Sequence, residues 1–102
     1  MAEAPTIVQG MWCHVEIPSA NTDQTKQFYS QVFGWKFQDV PMGDGTYSLY
    51  ETAEGGIGGG VWNPPEGMPR QMINYIMVDE IEPVAENAEA NGGKIVLPKQ
   101  EV

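Results

Sequence analysis

The chain has 102 residues, 41% of them apolar and 19% charged, and carries a formal net charge of −9. That is one globular domain with room for one core, and no apolar run approaches the roughly 20 residues of a membrane span. An excess of 14 acidic over 5 basic side chains repels phosphate, which excludes nucleic acid and anionic membrane surfaces as partners.

The opening Met-Ala-Glu-Ala-Pro has neither a basic region nor an apolar core, so the expectation is a protein that is not exported. Residues 12–17 (Trp-Cys-His-Val-Glu-Ile) alternate as a half-buried strand does. Trp12, His14 and Glu16 fall on one face; Cys13, Val15 and Ile17 fall on the other. Cys13, the only cysteine, cannot form an intrachain disulfide and fits a reducing cytoplasm. Its strand context favours buried packing over a nucleophilic role, and its neighbour His14 points the opposite way, so the two form no dyad.

Pro18 ends this strand, and Asn21 or Thr22 caps a helix predicted over 22–33, with Gln24 in a capping-box position. Thr25, Phe28, Tyr29, Val32 and Phe33 form its apolar stripe, and Gly34 supplies a left-handed stop. Strands are predicted over 35–40 and 46–52, with Pro41 through Gly45 as the turn between them and Asp44-Gly45 inside it. The next strand, Ile57-Gly-Gly-Gly-Val-Trp62, is glycine-heavy, the mark of a bulge or of close approach by another backbone or a ligand. Residues 63–70 are a proline-rich loop, placed like a flap. Its Arg70, the only arginine, could meet an anionic ligand or a surface carboxylate.

The pattern then restarts. Residues 71–78 read as a strand, Glu82 and Pro83 open a helix that Asn91-Gly92-Gly93 stop, and 94–97 read as another strand. The span from Ile17 to Gly34 is about 17 residues and that from Val78 to Gly93 about 15, so the sequence holds an internal repeat. The first module (about 8–62) has two strands beyond its strand–helix–strand unit. The second (about 71–102) stops roughly two strands short of that, and the expectation is an incomplete second module in a single domain. The fold class is α+β, built from two βαβββ-type modules.

Residues 11–37 resemble the opening of a vicinal oxygen chelate protein, a superfamily that includes glyoxalase I, bleomycin-resistance proteins and extradiol dioxygenases. Phe28-Tyr29…Val32-Phe33-Gly34-Trp35 carries the likeness most clearly. Gly55 to Gly60 is similar to the glycine-rich fourth strand of small bacterial members, and Tyr75 to Asp79 with Asn91 to Val96 matches the start of the second module. The resemblance implies paired modules whose curved sheets enclose a small-molecule cleft, and commonly two associated chains. It also implies, in active members, one divalent metal ion polarising vicinal oxygens or activating dioxygen.

His14 stands at the family's first-strand ligand position. It is either a metal ligand with Glu16 nearby or a neutral, hydrogen-bonded residue lining a cleft. The chain has one histidine. The second-module equivalent is Ile73 or Tyr75, the fourth-strand position falls among Gly58 to Val61 without a carboxylate, and the last ligand position lies beyond the sequence. One position of four is filled, which favours the second reading. Tyr47, Tyr50, Trp62 and Tyr75 can line a site for a flat ligand, although some of them must face the core. Glu51 and Glu54 could act as bases if buried, or stand as solvated carboxylates. The candidate binding set is Trp12, Glu16, Tyr47, Glu51, Trp62 and Tyr75, with His14 as the candidate metal ligand. The readings that follow are a binding module, the leading one, or a metal-dependent lyase or dioxygenase. A homodimer is expected, because unpaired strand edges remain.

Overall fold

A computed structural model describes residues 7–43 and 45–100. In chain order its elements are β1 (Trp12–Pro18), α1 (Thr22–Phe33), β2 (Lys36–Met42), β3 (Gly45–Glu51), β4 (Gly59–Trp62), β5 (Ile73–Ile76) and α2 (Ile81–Ala90). The strands form one mixed sheet in the order β2-β3-β4-β1-β5, so the fold is α+β. β1 runs parallel to β4 and antiparallel to β5, which seats the start of the second module directly against the first strand of the first.

The first helix forms where the apolar stripe and caps place it. Asn21 Oδ1 accepts from the Gln24 amide at 3.1 Å, and Gly34 closes the helix at φ 75°, a left-handed conformation that glycine adopts without Cβ strain. Its Tyr29 stacks on Trp35 (4.5 Å between centroids), which stacks on Tyr50 (4.6 Å). Tyr29, Trp35 and Phe37 thereby cover the buried cluster of Ile17, Tyr50 and Val61. Three other residues of the stripe are not covered: Phe28, Val32 and Phe33 are all more than half exposed. Across the sheet a single ion-pair network ties α1 to β2, with Lys26 Nζ donating to both Asp39 oxygens at 3.0 and 3.1 Å while Ser48 Oγ donates to the same carboxylate.

Three expectations about strands require correction. Pro41 does not turn the chain; it pairs with Thr46 inside β2, and Met42 pairs with Gly45. β2 is the sheet's edge, where a residue without an N–H is tolerated. Gly43 takes φ 59° at the turn, and the expected Asp44 lies outside the described residues. Residues 94–97 form no strand; no described strand pairs with them, and Val96 is 82% exposed. The glycine-rich strand and β5 are shorter than expected, although Met77 N and Met11 O continue the β1–β5 pairing at 2.9 Å. Helix α2 packs against no other element among the described residues, in keeping with a radius of gyration of 15.3 Å against about 13 Å for a compact chain of this length.

Candidate functional site

The sheet register decides which face each strand residue takes. Glu16 pairs with Gly60 and with Ile73, Gly60 with Leu49, and His14 with Tyr75. Alternation then puts His14, Glu16, Tyr47, Gly60, Trp62 and Tyr75 on the face turned away from α1. Of the two second-module equivalents considered for His14, it is Tyr75 that stands opposite it. The two rings meet edge to face, 5.2 Å apart.

Tyr47 is the centre of the cluster. Its hydroxyl donates to Glu16 Oε2 at 2.8 Å and lies 2.8 Å from His14 Nε2. Its ring packs beside that of His14 (6.2 Å, 15° between planes) and 6.0 Å from that of Trp62. Tyr47 and Glu16 are buried, at 7% and 8% exposure. A buried carboxylate needs such a donor, because the desolvation cost is otherwise uncompensated. Burial, and then hydrogen bonding to Glu16, pushes the Tyr47 pKa far up, so the phenol keeps its proton. Tyr75 moves in the same direction, first through burial and then through the Glu16 charge. Burial lowers the His14 pKa below its usual value and outweighs the opposing pull of Glu16. The ring is therefore neutral at pH 7.

Gly60 makes this placement possible. A Cβ there would overlap Cε1, Cζ and Oη of Tyr47, so the ring lies directly over the glycine. On the other face, a Cβ at Gly59 would strike the Val15 carbonyl and the Tyr50 hydroxyl, which donates to that carbonyl at 2.7 Å. The glycine run is thus a site of close approach, by the chain's own backbone and side chains.

Two cavities flank the sheet at opposite ends. One, of about 440 Å³, opens where β3 ends and β4 begins and is lined by His14, Leu49, Glu51 and Gly58. The larger, of about 650 Å³, lies at the other end, against Trp62, Asn63, Pro65, Met42 and Thr46. Size alone would favour the second. The first is the better candidate, because it reaches the histidine.

The remaining sequence candidates fall outside this cluster. Trp12 is 51% exposed, and an irregularity in the β1–β5 register between Trp12 and His14 breaks the alternation that would align them. Glu51 is exposed at the strand end, on the rim of the 440 Å³ cavity. Cys13 is only partly buried, with its thiol 3.7 Å from the Tyr75 carbonyl. Arg70 meets neither a ligand nor a carboxylate among the described residues; it clamps its own loop by donating to the Pro64 carbonyl (2.8 Å) and Asn63 Oδ1 (2.9 Å). The hydrogen-bonded link through Tyr47 is what the sequence did not show. Strand parity grouped Tyr47 with Leu49 and Glu51 but could not say which face they occupied.

Among the described residues no three His, Cys, Asp or Glu side chains come together as a zinc-type ligand set would require.

Comparison with known proteins bears on the whole sheet. Residues 13–101 match the profile described as Glyoxalase/Bleomycin resistance protein/Dioxygenase superfamily. A protein titled "Putative glyoxylase CFP32" in Mycobacterium bovis and in Mycobacterium tuberculosis is 34% identical over 95 residues. The match takes in 88% of this chain but 36% of those relatives, so the chain spans about a third of their length. A "Glyoxylase-like domain-containing protein" of Didymella fabae is also 34% identical, over 86% of this chain and 73% of its own. With its βαβββ module and the adjoining strand of a second, this chain belongs to the glyoxalase/bleomycin resistance protein/dioxygenase superfamily.

Proposed function

We propose that the chain binds a small planar molecule on the sheet face that carries His14, Tyr47 and Glu16, with Tyr75 and Trp62 as its aromatic flanks and Glu51 at the rim. The observation that carries this reading is the hydrogen-bonded run His14–Tyr47–Glu16, held on a rigid sheet beside a cavity that His14 lines. Binding sites are typically apolar concavities with a few fixed polar groups, and this one follows that pattern. A metal-assisted reaction of glyoxalase type would need donors beyond His14 and Glu16. Binding without a resident metal is therefore the function that these residues support best.

The test is NMR mapping of the amide, Trp indole and His14 signals during titration with phenol, anisole and benzoate at millimolar concentration. Binding at the site moves His14, Tyr47 and Trp62 together. Shifts confined to α2, or none at all for any of the three compounds, would remove the proposal. The same reading includes self-association, since β2 and β5 each keep one unpaired edge within the sheet. Sedimentation at micromolar concentration should give a dimer mass; a stable monomer rejects that part.

A further inference from the structure

The hydrogen bonds around Tyr47 fix more than its position; they also fix what the site can ask of a ligand. A phenol has one proton to give. As a carboxylate, Glu16 can only accept, so the Tyr47 proton is committed to Glu16 Oε2. Tyr47 Oη has no second proton for His14 Nε2, 2.8 Å away. The imidazole must then donate: Nε2 carries the hydrogen and points it at Tyr47 Oη. Nδ1 is left as the lone-pair nitrogen of the neutral ring.

The surroundings of Nδ1 complete the picture. No hydrogen bond to it is formed among the described residues, and no buried side-chain nitrogen or oxygen there lacks a partner. Nδ1 therefore reaches open space rather than being sealed in the sheet. His14 also lines the 440 Å³ cavity, together with Glu51, Lys36 and Gln38. Nδ1 is thus the acceptor that the His14–Tyr47–Glu16 run leaves for a ligand.

We infer that the ligand is a small molecule presenting an O–H or N–H donor to His14 Nδ1. The inference rests on the binding reading above and narrows it to a ligand class. Tyr47 acts as a positioning residue, since it holds the imidazole in the accepting tautomer without touching the ligand's donor.

Phenol and anisole are closely matched in size and differ in the feature at issue. Leaving a desolvated acceptor unpaired costs about 1–3 kcal/mol, so phenol should bind at least about fivefold more tightly than anisole. Independently of any ligand, ¹⁵N shifts of the His14 ring at pH 7.5 should show Nε2 protonated and Nδ1 pyridine-like. In Tyr47→Phe, judged folded by its amide dispersion, the tautomer is released and the preference for phenol over anisole shrinks. Equal affinity for phenol and anisole, or a ring protonated at Nδ1, would each overturn the inference while leaving a binding site in place. If none of the three compounds shifts the His14 face, the binding reading falls and takes the inference with it.

Discussion

Replacing Gly60 with alanine tests whether the site is built as described. Gly60 has an ordinary backbone conformation, with no positive φ, so alanine alone should be neutral there or stabilise by about 0.4–1 kcal/mol through the unfolded state. The structure predicts the opposite sign. Carbon atoms pack at about 3.5–4.0 Å, and the new methyl would lie well inside that distance from three atoms of the Tyr47 side chain. The ring must move, and with it the 2.8 Å contacts to His14 and Glu16. Overpacking of this kind costs about 1–3 kcal/mol, and loss of a hydrogen bond to a charged, buried group costs about 1.5–3 kcal/mol more. A net loss of about 3 kcal/mol is expected by urea unfolding. The control is a double-mutant cycle with Tyr47→Ala, in which the methyl finds space and Gly60→Ala should cost no more than about 0.5 kcal/mol. If Gly60→Ala costs less than about 1 kcal/mol in the parent, or the two changes simply add, Tyr47 does not sit over Gly60.

Three further expectations follow from the same contacts. The His14 pKa is lower folded than unfolded, so between those two values the unfolded chain binds more protons and stability rises with pH; wild type should lose stability relative to His14→Gln as pH falls below about 6.5, and parallel urea midpoints at pH 7.5 and 5 refute this. Asp39, with its carboxyl pKa lowered by Ser48 and then by Lys26, is half exposed, so Asp39→Asn should cost only about 0.5–1 kcal/mol at neutral pH, and less in high salt; a loss above about 2 kcal/mol would mean the network is buried. Asn21→Ala removes the N-cap acceptor of α1 and should cost about 1 kcal/mol in thermal unfolding, whereas an unchanged midpoint would show that the cap is made by another group.

Much of the fold was legible because local signals and tertiary packing agree. The Asn21 cap, the stripe through Tyr29 and the stop at Gly34 define α1 at both ends, and alternation gave β1. What failed were properties that belong to pairs of strands. Pro41 looks like a turn until β2 is known to be an edge, and residues 94–97 have strand composition but no described partner to bond with. Trp12 was grouped with His14 by parity, which a register irregularity interrupts. Each candidate in the Tyr47 cluster was visible separately. Their connection was not, because it depends on which face of β3 meets which face of β1, and that is set by the sheet order.

The glycine run explains why that order matters for both halves of the molecule. Gly59 and Gly60 are neighbours in β4 and face opposite ways, so each makes room on its own side. On the α1 side, the space at Gly59 admits the Tyr50 hydroxyl to the Val15 carbonyl, which anchors the stack running through Trp35 to Tyr29. On the other side, the space at Gly60 admits Tyr47, which satisfies a buried carboxylate and orients the one imidazole. A tyrosine needs a polar partner when buried, and in a sheet that partner must come from a neighbouring strand across a position with no side chain in the way. Two adjacent glycines in the strand between β1 and β3 meet that need for two tyrosines at once. The weakness they bring as strand residues is therefore tied to the core on one face and to the candidate site on the other, and neither glycine can be replaced without disturbing the tyrosine it accommodates.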